Sequence, residues 1–242
     1  NRKWEGIEYL YKWLESSDRH GGAICSEEDI YIVNSIVEDN LALGCGGGIY
    51  SDKNIHIDNT TVNNNYAANK GGGVYSKENI YINQNPVYMK STFTNNKLTN
   101  KTDSNYWGGG LYCCKNAYIN NTYFDNNCIS LLGGAVFCEG ETRIENSEFT
   151  RNSGSIGGAV YSNGNVYVLN SVFTGNYASN DIFNSAGAIM CENAITFTDS
   201  ILLGNVDCKE KQICSKTGNV KIINNIKYDC EFDNVYNLDL NK

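Results

Sequence analysis

Residues Gly46 to Asn65 read GGGIYSDKNIHIDNTTVNNN, and this stretch decides the fold. Its glycine start recurs at a nearly constant spacing, at Gly21, Gly46, Gly71, Gly108, Gly133 and Gly157, with Ala186 in a seventh, weaker copy. The steps between copies are 25, 25, 37, 25, 24 and 29 residues. A period of this length predicts a chain built from stacked copies of one structural unit.

A second landmark recurs after each copy of the first: an apolar residue followed three positions later by asparagine. It occurs at Val37–Asn40, Val62–Asn65, Phe93–Asn96, Phe124–Asn127, Phe149–Asn152, Phe173–Asn176 and Leu202–Asn205. Between the landmarks lies an alternating run such as Ile30-Tyr31-Ile32, and a period of two over β-branched residues indicates a strand. Each repeat therefore holds about three short strands, which is one coil of a parallel β-helix.

The two landmarks resemble the GGA(I/L/V) and FxxN motifs of polymorphic outer-membrane-protein repeats, over about residues 21 to 205. Such repeats occur in surface adhesins and autotransporter passengers. The resemblance implies a β-helix that lies at the cell surface or outside the cell. It says little about activity, because these motifs specify the fold.

The predicted architecture is all-β: a single right-handed parallel β-helix of seven to eight coils over residues 21–230. Residues 1–20 are predicted as a helical cap and residues 231–242 as a C-terminal cap or tail. The helix prediction covers residues 2–16, where one apolar stripe is formed by Trp4, Ile7, Tyr11 and Leu14. A cap is expected because an open solenoid end exposes core and unpaired backbone.

The composition restricts the classes of partner and the cellular location that are expected. The net charge is -8 and lysines and arginines are scattered singly, which disfavours nucleic acid and anionic membranes as partners. No apolar run is long enough to span a membrane, so no membrane insertion is expected. Ten cysteines favour an extracellular or cell-surface location. Cys113 and Cys138 share a column in neighbouring coils, where a disulfide is sterically possible, and free buried thiols are the alternative.

No constellation for catalysis or metal binding is found. Parallel β-helices include pectate lyases and polygalacturonases, whose chemistry needs converging carboxylates or a calcium-binding acid cluster. The aspartates here fall in different columns or distant coils, and His20 and His56 have no evident nucleophilic partner. The cysteine and histidine spacings do not make a zinc site. We therefore predict a protein that is not an enzyme and carries no cofactor or metal.

Alternation in the middle strand predicts which side chains face inward and which face solvent. Ile32, Ile57 and Ile82 should stack inward, and their neighbours should form one outward stripe of Tyr31, His56, Tyr81, Tyr118, Arg143, Tyr167, Thr196 and Lys221. The column of Tyr50, Tyr75, Tyr112, Phe137 and Tyr161 is ambiguous: alternation turns it outward, whereas its apolar ends suggest burial.

The third coil is the longest because insertions at residues 84–90 and 97–107 add further aromatic side chains. Insertions in repeat proteins project as loops, often on a binding face. Joined with the outward stripe, they give the predicted binding residues Tyr81, Tyr88, Tyr106, Trp107, Tyr118 and Tyr167.

The function that fits these features best is a non-catalytic extracellular module that binds a macromolecular partner as a scaffold or adhesin. The overall texture also looks like the repetitive scaffoldins of anaerobic fungal cellulosomes, which would imply a cohesin that binds dockerin domains of plant-wall-degrading enzymes. The expected partner is a protein or a cell-surface or plant-wall glycan. The alternatives are a carbohydrate-binding module and a pectate-lyase-like enzyme.

Overall fold

The computed structural model describes residues 20–85, 89–99, 107–129, 131–180, 185–207, 209 and 211–224, and the backbone of two further strands, Arg2–Glu5 and Val235–Leu238. The chain forms an all-β parallel solenoid of the right-handed type, with about seven turns. The predicted β-helix is thus confirmed, and its three strands per coil stack into three long parallel sheets.

The first sheet contains the strands that follow the glycine landmark. They are Ile24–Ser26, Ile49–Ser51, Val74–Ser76, Leu111–Cys113, Val136–Cys138, Val160–Ser162, Ile189–Cys191 and Ile213–Ser215. The third sheet contains the strands around the FxxN landmark. They are Ile36–Glu38, Thr61–Asn63, Ser91–Thr94, Thr122–Asp125, Glu148–Thr150, Val172–Thr174 and Ile201–Leu203.

The middle sheet is the longest and lies between these two in each coil. Its strands are Arg2–Glu5, Ile30–Val33, Ile55–Asp58, Ile80–Ile82, Ala117–Asn120, Thr142–Glu145, Val166–Leu169, Ile195–Thr198, Val220–Ile223 and Val235–Leu238. Short strands after the third sheet form two small ladders, Leu41–Ala42 with Tyr66–Ala67 and Lys97–Leu98, and Ser153–Gly154 with Tyr177–Ala178.

The start of the chain differs from the predicted helical cap. Arg2–Glu5 is a strand that pairs in parallel with Ile30–Val33 and so extends the middle sheet by one rung. Pairing satisfies backbone groups that the edge of a sheet would otherwise leave open, and this outweighs the helical spacing of the apolar residues. The rest of the predicted helix, residues 6–16, lies outside the described residues, as does most of the predicted C-terminal segment 231–242.

The glycine landmark is required by the backbone. Gly46 has a φ of +67°, and a Cβ on it would lie 2.2 Å from the carbonyl oxygen of Ile49. The next residue, Gly47, packs directly on the following coil, where a Cβ would lie 2.0 Å from the carbonyl oxygen of Gly72. The first glycine therefore makes the turn and the second lets neighbouring coils approach each other.

The solenoid interior is filled by ladders of identical or similar side chains. Ile32, Ile57 and Ile82 are buried, as the alternation predicted. Beside them the FxxN phenylalanines stack, with ring centroids 4.7 Å apart between Phe93 and Phe124. These ladders bury apolar area in every coil, which is the main source of stability for the fold.

The ambiguous column on the first sheet is buried, on the outer side of that sheet. Tyr50, Tyr75, Tyr112, Phe137, Tyr161 and Met190 form a second apolar cluster. Loop residues such as Trp107 and Leu132 cover it. The sequence left this open because alternation identifies the face of a sheet but not what a loop lays over it.

The disulfide considered between Cys113 and Cys138 is not present, because both cysteines are free. They stand in a column with Ser51, Ser76 and Ser162. Ser76 Oγ donates to the carbonyl of Lys53 at 2.7 Å, and Cys113 Sγ takes the same role with the carbonyl of Glu78 at 3.1 Å. Cys138 Sγ donates to the carbonyl of Lys115 at 3.0 Å, so both thiols act as hydrogen-bond donors within a hydroxyl ladder.

Candidate binding surface

The outer face of the middle sheet carries a continuous stack of rings. We call Tyr31, His56, Tyr81 and Tyr118 the ring column. Their centroids lie 4.4, 4.7 and 5.0 Å apart from one coil to the next, with interplanar angles of 8°, 11° and 3°. Every member is half-buried, whereas its apolar neighbours on either side in the strand are buried. The outward orientation of the stripe predicted from the sequence is confirmed.

The geometry of the stack determines what it offers to a partner. Near-parallel rings at these separations contact each other through their faces. The interior rings, His56 and Tyr81, therefore have neighbours on both faces. The column consequently presents ring edges and tyrosine hydroxyls to solvent more than open ring faces.

One flank of the ring column is a ladder of amides with an aspartate at its start. Asp29 Oδ1 accepts from the backbone nitrogen of Asn54 at 3.0 Å and from Asn54 Nδ2 at 3.1 Å. Asn79 repeats both contacts on Asn54 Oδ1, and the backbone nitrogen of Asn116 bonds Asn79 Oδ1 at 3.0 Å. These side chains hold the flank rigid by satisfying each other from coil to coil.

The opposite flank begins with Asp58, the last residue of the strand that holds His56. Burial raises the pKa of the Asp58 carboxyl above its usual value of 3.8, and His56 partly offsets this. Burial lowers the pKa of His56 below 6.5, while Asp29 and Asp58 act in the opposite direction. Burial therefore favours the neutral form of His56.

The stripe continues beyond the ring column with a different character. Arg143 pairs with Glu141 at 2.6 Å, and its guanidinium lies 5.1 Å from the ring centroid of Tyr167. Tyr167 is 37% exposed and Leu169 is 41% exposed on the same strand. The predicted binding residue Tyr167 thus lies on the same face as Tyr81 and Tyr118, but an arginine separates them.

The structure places Trp107 away from this face. Its ring stacks on Phe137 with centroids 5.0 Å apart and on Tyr112 at 6.0 Å, over the first sheet. The ammonium of Lys70 lies 4.3 Å from its ring centroid. Two further predicted binding residues, Tyr88 and Tyr106, lie outside the described residues. Tyr81 and Tyr118 are therefore the predicted residues that the structure brings into contact.

Sequence reasoning missed the carboxylates beside the ring column as site residues. Asp29 lies two positions before Tyr31, directly ahead of the strand Ile30–Val33, and Asp58 lies two positions after His56 at the end of its strand. The signal was available in the alternation, which turns positions two apart to the same side of a sheet.

The histidines hold structural positions. His20 Nδ1 accepts from the backbone nitrogen of Cys45 at 2.9 Å, and its ring stacks on Tyr50. His56 lies between two tyrosine rings. Within the described residues, no group of three or more His, Cys, Asp or Glu side chains is arranged to hold a metal ion. That part of the chain also contains no helix with the length and apolarity needed to cross a membrane.

Comparison with known proteins supports the repeat resemblance over one coil. A family model for the Chlamydia polymorphic membrane protein repeat matches residues 59–77. This segment spans the FxxN position of the second coil and the glycine start of the third. Comparison with curated proteins and with solved structures gave no match. No cohesin or scaffoldin match supports the cellulosome hypothesis.

Proposed function

We propose that this chain is a non-catalytic module of a surface β-helix protein that binds a macromolecular partner, in the manner of an adhesin. The observation that carries the proposal is the ring column, a half-buried aromatic stack on the outer face of the middle sheet. Tyrosines at such positions are common anchors of interfaces, since a ring supplies large contact area at low cost in conformational entropy.

The repeat match and the solenoid support a location at the cell surface. Within this proposal the partner is a protein or a glycan carried on another surface. Dockerin domains are one candidate for the protein, and that candidate rests on sequence texture alone.

Binding of the labelled chain to intact cells, and to panels of purified surface proteins and glycans, tests the proposal. The double substitution Tyr81→Ala with Tyr118→Ala should weaken binding about tenfold or more, because both rings lie in the centre of the stripe. Tyr177→Ala is the matched control, since Tyr177 is 48% exposed on a different ridge of the solenoid. Equal binding by the unchanged chain, the double variant and the control variant would contradict the proposal. Release of sugars from pectin or other wall polysaccharides would also contradict it.

A further inference from the structure

The face that holds the ring column is acidic. Residues 2–5, 27–34, 52–59, 77–84, 115–121 and 139–146, which form this part of the middle sheet and its adjoining turns, contain ten carboxylates and six basic side chains. Two of the carboxylates, Asp52 and Glu139, bond tyrosines of the first sheet. Three of the basic side chains are already paired: Lys77 with Asp52, Lys115 with Glu78 and Arg143 with Glu141. The net negative charge therefore favours a cationic partner and disfavours anionic glycans.

Other parts of the described structure show how its tyrosines accommodate a cation. Among the described residues, three basic side chains lie over a tyrosine ring while each pairs with a carboxylate. They are Lys77 with Tyr50 and Asp52, Arg143 with Tyr167 and Glu141, and Lys90 with Tyr123 and Glu148. The arrangement recurs because a carboxylate fixes the cation beside an aromatic ring.

Within the described side chains, the ring column has the ring and the carboxylate of this arrangement but not the basic side chain. Asp29 and Asp58 flank Tyr31, His56 and Tyr81, yet neither aspartate pairs with a lysine or arginine within the described part of the chain. A basic side chain from outside would complete it. Its apolar stem would lie along the half-buried rings, and its charged end would reach a carboxylate.

The alternative of a neutral glycan is less well supported by the same face. Sugar binding on aromatic side chains uses open ring faces, and here the interior ring faces are covered by their neighbours. The carbonyl oxygens of the flanking Asn54 and Asn79 amides are also already bonded within their ladder.

We infer that the ring column and its flanking aspartates form a docking surface for a polypeptide segment that carries lysine or arginine side chains. This inference rests on the proposed function and specifies the chemistry of its partner. Because part of the attraction is ionic, binding should weaken as salt is added.

Short synthetic peptides in which Lys and Arg alternate with apolar residues test the inference, beside matched peptides that carry Gln at the basic positions. The variant Asp29→Asn with Asp58→Asn should bind the basic peptides about tenfold or more weakly than the unchanged chain. The first change keeps the local structure, because Asn54 and Asn79 occupy the equivalent position in the next coils. The second removes a carboxylate that burial already disfavours in its charged form.

The control variant is Glu38→Gln with Asp39→Asn, which removes the same amount of charge from the third sheet and its turn. It should bind within about twofold of the unchanged chain. An equal loss in both variants, or equal binding of the Gln peptides, would overturn the inference.

A glycan array tests whether the ring column binds neutral sugars instead. Neutral glycans bound in a manner that Tyr81→Ala abolishes would overturn the inference and leave the proposed function standing, whereas no Tyr81-dependent binding to any probe would overturn both.

Discussion

Asn65 Nδ2 donates to Asn96 Oδ1 at 3.0 Å, one coil further along the solenoid. The backbone nitrogen of Asn65 donates to the same oxygen at 3.1 Å, and Asn96 in turn donates to the carbonyl of Val62 and to Asn127 Oδ1. The asparagine of the FxxN motif is thus a fully buried link between coils. Its side chain satisfies backbone groups at the turn after the third-sheet strand, ahead of the next glycine landmark.

Asn96→Ala should therefore lower the free energy of unfolding by about 2–4 kcal/mol, because it leaves buried donors and a carbonyl without partners. Denaturant unfolding followed by circular dichroism measures this. Asn64→Gly is the control, since it lies on the outer turn with a φ of 52° that glycine adopts freely, and it should cost less than about 1 kcal/mol. If the two variants lose similar amounts of unfolding free energy, burial of the asparagine ladder does not determine how much it stabilises the fold.

The second glycine of the landmark gives a steric test of coil stacking. A Cβ on Gly72 would lie 2.3 Å from the carbonyl oxygen of Gly109 and 2.6 Å from that of Lys97, and backbone on two sides cannot move aside. Gly72→Ala should cost about 3 kcal/mol or more in a thermal or denaturant melt. Gly175→Asn should be nearly neutral, because no atom lies within 4 Å of its Cβ position and asparagine holds that turn in other coils. A Gly72→Ala protein as stable as the unchanged chain would contradict this packing.

The hydroxyl ladder predicts that cysteine and serine are interchangeable at its thiol positions. Cys113→Ser should change stability by less than about 1 kcal/mol, since serine makes the equivalent bond at Ser76, whereas Cys113→Val should cost about 1–2 kcal/mol by removing the donor. Titration of the denatured chain should find Cys113 and Cys138 as free thiols. A melting temperature that falls when reductant is added would instead indicate a disulfide between them.

The periodic features of this protein could be predicted from the sequence, and the features that depend on one contact could not. The inward isoleucines and the outward ring column follow from a period of two, and the coils follow from paired landmarks. Alternation could not show that loop residues such as Trp107 cover the tyrosines of the first sheet. Nor could it show that Arg2–Glu5 pairs as a strand, because helical spacing in a short segment yields to an available sheet edge.

His56 gives a prediction about pH. Its pKa in the folded chain lies below 6.5 because burial between the tyrosine rings disfavours the imidazolium more than Asp29 and Asp58 favour it. The unfolded chain therefore binds a proton at a higher pH than the folded chain, and the contribution of His56 to stability is lost as pH falls through 6.5 toward the folded pKa. His56→Tyr, which continues the ring column, should remove this part of the pH dependence from melts recorded between neutral and mildly acidic pH. An unchanged pH profile in that variant would mean that His56 is not the group responsible.

Substitutions at Trp107 and Tyr81 should distinguish a role in packing from a role in partner binding. Both were predicted as binding residues, but Trp107 stacks on Tyr112 and Phe137 beneath Lys70, whereas Tyr81 lies on the outward face of the middle sheet. Trp107→Ala should lower the free energy of unfolding by about 2–4 kcal/mol, because it removes ring packing and the cation–π contact together. Compared with Trp107→Ala, Tyr81→Ala should lower the free energy of unfolding less and should weaken partner binding more. Parallel melts and binding curves on the two variants check this, with Trp107→Phe as a variant that keeps the stacking. If Trp107→Ala binds more weakly while its melting temperature is unchanged, the tryptophan contacts the partner, as the sequence alone predicted.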